Sequence, residues 1–265
     1  MSVKSFNIEN LSSGYNKTKI IKDLDLEIPI GKISVILGSN GSGKSTLLKS
    51  MIRLIHPMQG VIKLDDQSID KIPTKKLART IGLLPQTQES ITGITVYDIV
   101  ARGRYPYQKA FSSLSEDDIR AIDYALEKMN IKEMATRNIE DLSGGQRQRV
   151  FIAMALAQET DILFLDEPTT YLDITYQIEI LDLLTDLNRE KNITVVMVLH
   201  DISIAARYAD YLFIMKQGKL IKQGTPSEII NEDIIKEAFG LDCKVIQDPL
   251  SHTPLLILKS RHHMK

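Results

Sequence analysis

The sequence predicts an α/β protein built on a mainly parallel sheet, and three observations predict it. Ile33-Ser34-Val35-Ile36-Leu37 is nearly continuous apolar, as in a strand buried on both faces. That strand runs straight into a glycine-rich loop followed by apolar residues at helical spacing. Further β-rich runs at residues 81–84, 162–165 and 195–199 alternate with helix-like segments, the pattern of strands covered by helices on both sides.

The elements follow in order. Phe6, Ile8 and Leu11, then Leu24, Leu26 and Ile28, alternate with polar residues and predict two half-buried strands with a polar turn over residues 12–19. After the glycine loop, Leu47, Leu48, Met51, Ile52 and Ile55 predict a helix closed by Pro57. Residues 112–157 have a helical character. Ser115-Glu116-Asp117-Asp118 has the acidic look of a helix start, and Ile119, Ile122, Leu126 and Met129 continue at helical spacing. A second helix over residues 146–157 is basic at its start and almost wholly apolar afterwards, so most of it is expected to be buried. A third covers residues 176–187. Together these give one domain over residues 1–265, with a core of residues 1–87 and 159–265 and a helical insertion at about 88–158.

Composition narrows the function classes. The chain has 265 residues, and at about 150 per domain that allows one large domain or two modest ones. Its 33 Lys plus Arg against 34 Asp plus Glu leave a net charge of −1, unlike a dedicated nucleic-acid binder. Cys243 is the single cysteine, which suits a reducing compartment and a small buried apolar role. No apolar run approaches the roughly 20 residues of a membrane-spanning helix, and the first residues lack the apolar core of a secretory leader. His262 and His263 read as a frayed terminus, and no metal is assigned to them.

Gly38-Ser39-Asn40-Gly41-Ser42-Gly43-Lys44-Ser45 fits the G-x-x-x-x-G-K-S phosphate loop, with Thr46 directly behind it. Its glycines let successive N–H groups curl around phosphate oxygens while the following helix points its positive end at them. Lys44 then neutralises β- and γ-phosphate charge, and the Ser45 hydroxyl is a ligand for Mg²⁺. Downstream, the apolar strand at residues 162–165 ends in Asp166 and Glu167, at the carboxyl edge where parallel sheets bind ligands. Asp166 suits a water-mediated Mg²⁺ contact, and Glu167 is placed to polarise an attacking water. Ser143, Gly144, Gly145 and Gln146 open the basic-to-apolar helix and offer a second anion-binding helix start.

Leu142-Ser143-Gly144-Gly145-Gln146 matches the signature motif of the ATP-binding-cassette (ABC) ATPases, and the sequence resembles that family over nearly its whole length. The resemblance implies a P-loop NTPase (RecA-like) core with an N-terminal antiparallel β subdomain and a helical subdomain. Tyr15 matches the family's adenine-stacking aromatic and Gln86 its glutamine-loop residue, a further Mg²⁺ ligand. Tyr171-Leu172-Asp173 matches the D-loop, and His200 the switch histidine that contacts the γ-phosphate. The resemblance further implies ATP and Mg²⁺ as ligands, bound in a head-to-tail homodimer in which Ser143, Gly144 and Gly145 complete the partner's site.

With no membrane span in the sequence, a transport role requires separate transmembrane permease subunits, with this chain peripheral at the cytoplasmic face of the membrane. An extracellular substrate-binding protein then acts indirectly. Three features favour an importer: Asn138-Ile139-Glu140-Asp141 lacks the Gly-Glu pattern common in exporters, the ATPase is not fused to spans, and two segments match a particular group of importers. Those segments, residues 95–107 with Gly103-Arg104-Tyr105-Pro106-Tyr107 and residues 167–174, resemble the ATPases of ferric-siderophore, haem and cobalamin importers. After Gly224-Thr225-Pro226 too few residues remain for the regulatory β-domain of sugar-importer ATPases. The expected cargo is a ferric siderophore, with haem, cobalamin or a metal ion as alternatives. A non-transport ABC ATPase acting on nucleic acid or the ribosome, or a P-loop kinase, fits the residues less well, and no nucleic-acid partner is expected.

Overall fold

The computed structural model describes residues 3–86, 92–109, 112–170 and 172–259. Its first half contains β1 (Phe6–Tyr15), β2 (Thr18–Glu27), β3 (Ile33–Gly38), α1 (Lys44–Met51), β4 (Gln59–Leu64), β5 (Gln67–Ser68), α2 (Thr74–Thr80), β6 (Ile81–Leu84), α3 (Val96–Ala101) and α4 (Glu116–Lys128). Then come α5 (Gly144–Ala157), β7 (Ile162–Asp166), α6 (Ile174–Lys191), β8 (Thr194–Val198), α7 (Ile202–Tyr208), β9 (Tyr211–Lys216) and β10 (Lys219–Gly224). The chain closes with α8 (Pro226–Ile229), α9 (Glu232–Phe239), β11 (Cys243–Gln247) and β12 (Pro254–Leu258). It divides into two compact units, Val3–Lys71 with Leu187–Lys265, and Ile72–Asp186.

In the first unit β3 is buried at every residue and runs parallel to both β8 and β9, as its unbroken apolar sequence requires. β10 returns antiparallel to β9. A separate antiparallel sheet has the order β2-β1-β4-β5. Here the expected polar turn over residues 12–19 is largely strand. The turn itself is only Asn16-Lys17, both at positive φ (47° and 66°), the form whose twist suits a tight hairpin. The polar residues before it can enter the core because each has a partner. Ser12 Oγ donates to Asp23 Oδ1 at 3.0 Å, and Ser13 Oγ accepts from Ser50 Oγ at 2.9 Å. Pairing irregularities between Ile8 and Gly14 bring Leu11, Ser12 and Ser13 in succession to buried positions.

α1 is shorter than its apolar spacing suggests. It ends at Met51, and Arg53 turns into left-handed backbone (φ 61°), so Ile52 and Ile55 pack from outside the helix. Cys243 is buried as expected, and that burial pushes its thiol pKa up.

Ser34 is the exception in β3. Its Oγ is buried and has no hydrogen-bond partner among the described residues. A buried hydroxyl of this kind costs about 1–3 kcal/mol of desolvation. Ser34→Ala is therefore expected to leave stability unchanged or raise it by about 1 kcal/mol. A urea midpoint that falls instead would show that the hydroxyl is paired in solution.

In the second unit β6 and β7 pair in parallel, Ile81 opposite Ile162 through Leu84 opposite Leu165. α4 begins where the acidic run predicts. Ser115 and Asp118 form a reciprocal capping box, each side chain bonded to the other's backbone N–H. Ala121, Ile122, Ala125 and Leu126 carry the buried face, whereas Ile119, expected on that face, is 42% exposed. α6 extends beyond the expected residues 176–187 at both ends.

The segment from Gly103 to Tyr107 is a packed clamp. A side chain at Gly103 would fall 2.2 Å from the Met154 carbonyl oxygen, so only glycine permits this approach to α5. Arg104 is buried. Its Nε donates to Asp118 Oδ1, while Nη1 donates to Ala157 O and Glu159 Oε2, all at 2.7–2.8 Å. Its guanidinium also lies 3.9 Å from the centroid of the Tyr107 ring.

Candidate functional site

The first unit supplies the phosphate loop. β3 delivers the chain at Gly38, and α1 begins at Lys44 after a turn in which Ser42 N–H donates to Ser39 O at 3.1 Å. Two glycines are required for different reasons. Gly41 needs only freedom to adopt φ 76°, since nothing lies within 4 Å of where a side chain would go. Gly43 combines φ 101° with a contact, because an added Cβ would sit 2.8 Å from Ile21 Cδ1. The β9–β10 turn holds the loop from behind, Gly218 N–H donating to Ser42 O at 2.9 Å.

The electrostatics of this loop favour an anion. No side chain caps α1 at Gly43, so the helix presents backbone N–H groups and its positive dipole end. Lys44 is buried and folded back over the loop, its ammonium donating to Gly38 O at 2.9 Å and Ser39 O at 3.2 Å. Ser42 Oγ is buried and without a hydrogen-bond partner among the described residues. Ser39, Asn40 and Gly41 face outward, Ser45 is half-buried and Thr46 is buried. The same unit carries Tyr15 at the end of β1, 48% exposed. His200 is exposed beyond β8, just ahead of Asp201, which caps α7 by accepting from Ile204 N–H at 2.8 Å.

The second unit carries the carboxylates. Asp166 ends β7 and is buried. Glu167 follows in left-handed backbone (φ 56°), an uncommon conformation for a side-chain-bearing residue and one that marks sites held by their surroundings. Two donors reach one oxygen of its carboxylate: Gln86 Nε2 at 2.7 Å and Thr170 Oγ1 at 3.0 Å, both to Oε2. Thr170 N–H also donates to Glu167 O at 3.3 Å, and Gln148 of α5 donates its Nε2 to Pro168 O at 2.8 Å. The structure thus joins Gln86 to Glu167, two residues singled out separately in the sequence. It adds Thr170 and Gln148, which sequence reasoning missed.

The signature segment is a capped helix start. Ser143 Oγ accepts from Gln146 N–H at 3.3 Å, and Gln146 Oε1 accepts from Ser143 N–H at 3.1 Å. Gly144 is exposed with open space where a side chain would be. Gly145 is buried against the face of Tyr176, whose ring atoms lie 3.2–3.4 Å from its would-be Cβ. Asp173 is exposed and accepts from Tyr176 N–H at 3.0 Å at the start of α6. Tyr171, residues 88–91 at the start of the expected insertion, and His262 and His263 lie outside the described residues.

Among the described residues no group of three or more His, Cys, Asp or Glu is placed to hold a metal ion. No helix among them is long and apolar enough to cross a membrane.

Comparisons with known proteins identify the family. The profile of the family described as ABC transporter matches residues 21–170. The iron(3+)-hydroxamate import ATP-binding protein of Bacillus subtilis (strain 168) is 46% identical over 96% of this chain and 95% of its own length. The ferric enterobactin transport ATP-binding protein of Escherichia coli (strain K12) is also 46% identical, over 97% of this chain and 94% of its own. Among solved structures, a chain from an inward-facing protein described as a metal-chelate type ABC transporter superposes with a TM-score of 0.84. It is 30% identical, and the match covers 98% of this chain and 99% of that one.

Proposed function

Because the chain belongs to the ABC transporter family, we propose that it is the ATP-hydrolysing subunit that energises import of a ferric siderophore. The observation that carries the nucleotide assignment is the phosphate loop, where Gly41 and Gly43 at positive φ bend the backbone around an uncapped helix start beside a buried Lys44. Such a loop receives the polyphosphate of ATP, with Tyr15 stacking on the adenine and Lys44 and Thr46 held to the phosphates.

In this reading Glu167 polarises the attacking water and His200 contacts the γ-phosphate, while Gln86 links the hydrolytic step to the state of the permease. Ser45, Asp166 and Gln86 suit Mg²⁺. They are oxygen donors with a single carboxylate among them, which fits an ion that keeps waters and substrate phosphates in its shell rather than an all-protein cage. When bound, Mg²⁺ neutralises charge on the phosphate oxygens. Ser143, Gly144, Gly145, Gln146 and Asp173 face the nucleotide of a second copy. The capped, outward-facing start of α5 supports that role, since a helix N-terminus with an exposed glycine admits an anion brought to it. The working form is a head-to-tail homodimer on separate transmembrane permease subunits, at the cytoplasmic face of the membrane, fed indirectly by an extracellular binding protein. The chain acts as one ABC ATPase domain, with core residues 1–87 and 159–265 and a helical subdomain at about 88–158.

Cargo chemistry sits elsewhere in such a system. Relatives named for a hydroxamate and for enterobactin are equally similar to this chain at 46% identity, so similarity to them does not single out one iron chelate. Affinity purification of the tagged chain from its native membranes tests the assignment. Co-purification of polytopic subunits, with ATPase activity stimulated by a binding protein loaded with ferric siderophore, is the expected result. Recovery of ribosomal RNA or DNA in place of membrane subunits would overturn it.

A further inference from the structure

Glu167 has a flexible side chain, and holding a glutamate in one rotamer costs conformational entropy. Its carboxylate is met at Oε2 by two donors of different origin. Gln86 reaches it from a segment 81 residues away in sequence, whereas Thr170 reaches it from the same turn, three residues on. That turn is tied at several points. Thr170 N–H closes on Glu167 O, Gln148 holds the Pro168 carbonyl, and the left-handed backbone of Glu167 fixes the direction in which its side chain leaves the strand. The Thr170 side chain is half-buried, so its hydrogen bond is shielded in part from competing water.

We infer that Thr170 is a positioning residue for hydrolysis, its hydroxyl holding the Glu167 carboxylate in the orientation from which it acts on water. This rests on the reading of Glu167 given above. Gln86 is a second donor to the same oxygen, but its tether is long-range. Thr170 is the local one and persists in any arrangement that keeps the turn. A hydrogen bond to a charged group is stronger than one between neutral groups, and misplacing a reacting group by about 1 Å can cost on the order of 10²-fold in rate.

The test compares Thr170→Val, which keeps the shape and loses the donor, with Thr170→Ser, which keeps the donor and loses a methyl. Both are measured in the full chain with ATP and Mg²⁺, beside Glu167→Gln. Thr170→Val is expected to lower kcat about tenfold, or 1.4 kcal/mol of barrier, with KM for ATP and thermal midpoint unchanged. Thr170→Ser is expected to stay within about twofold of wild type. Thr170→Ala serves as the second donor-less variant should valine lower the midpoint, and it is expected to show the same split between kcat and KM. Wild-type kcat in the donor-less variants overturns the inference, as does a serine variant as slow as valine, which would assign the effect to the methyl group. The Glu167→Gln control separates the two readings. Full activity there removes the role of Glu167 itself, whereas an inactive Glu167→Gln beside a fully active Thr170→Val removes only that of Thr170.

Discussion

Glu167→Gln is expected to reduce ATP hydrolysis by about two to four orders of magnitude, the range lost when a positioned general base is removed. The substitution is nearly isosteric, and the surroundings of Glu167 say what it preserves. The amide keeps one acceptor oxygen, and a single oxygen already receives both the Gln86 amide and the Thr170 hydroxyl. The side chain can therefore keep its place while losing the basicity that draws a proton from water. In the proposed site ATP and Mg²⁺ are held by the phosphate loop with Ser45, Asp166 and Gln86, none of which is substituted, and binding is expected to remain within about threefold of wild type. The variant is then expected to accumulate with uncleaved nucleotide as the proposed closed dimer, since in that reading the γ-phosphate that favours closure is never removed. Single-turnover hydrolysis, nucleotide retention and size-exclusion chromatography with light scattering check the three parts. Turnover near wild type would take the base role from Glu167. Slow turnover by a strictly monomeric protein would leave that role standing and remove the dimer.

What the sequence revealed and what it concealed divide along a physical line. The phosphate loop was legible because its chemistry is a backbone requirement: Gly41 and Gly43 occur where φ must be positive, between an apolar strand and a helix. Ser143 was legible as a helix start, and the reciprocal bond with Gln146 follows from the same three-residue spacing. The bond between Gln86 and Glu167 was not, since nothing in either local sequence says that two distant segments of one unit end side by side. Thr170 was hidden for a subtler reason. A threonine three residues after a glutamate is ordinary, and here it donates to that carboxylate within a turn where Glu167 takes left-handed backbone. Ser12 and Ser13 read as turn residues because their partners, Asp23 and Ser50, lie 11 and 37 residues away. Composition reports that a residue is polar, but burial of a polar residue depends on what the fold brings to it.

Arg104 shows the same dependence at a higher cost, and Arg104→Ala is expected to destabilise the protein by about 3–5 kcal/mol, the range measured when one member of a buried ion pair is removed. That is a large fraction of the roughly 5–15 kcal/mol that separates folded from unfolded states. Alanine removes the donors to Asp118, to the Ala157 carbonyl at the end of α5 and to Glu159, together with the guanidinium packed on Tyr107. The harm concentrates at Asp118, which is buried and would keep its charge without its cation. Burial by itself raises the pKa of that carboxyl. Hydrogen bonds from Ser115, then the Arg104 donor and its charge, outweigh the effect and leave the pKa below the ordinary aspartate value. A carboxylate with a depressed folded-state pKa contributes stability above its unfolded pKa of about 3.9 and loses it as pH falls through the folded value. The stability gap between wild type and Arg104→Ala is therefore widest near neutral pH and narrows below about pH 4, where protonated Asp118 is cheaper to bury without a cation. Arg104→Lys keeps the charge but has neither the fork that serves several acceptors at once nor the flat face that packs on Tyr107, so it is expected to recover less than half the loss. Urea denaturation of the three proteins at pH 7 and at pH 3.5 measures both effects. A gap that stays constant between the two pH values would mean that Arg104 acts through packing and its carbonyl contact rather than through Asp118.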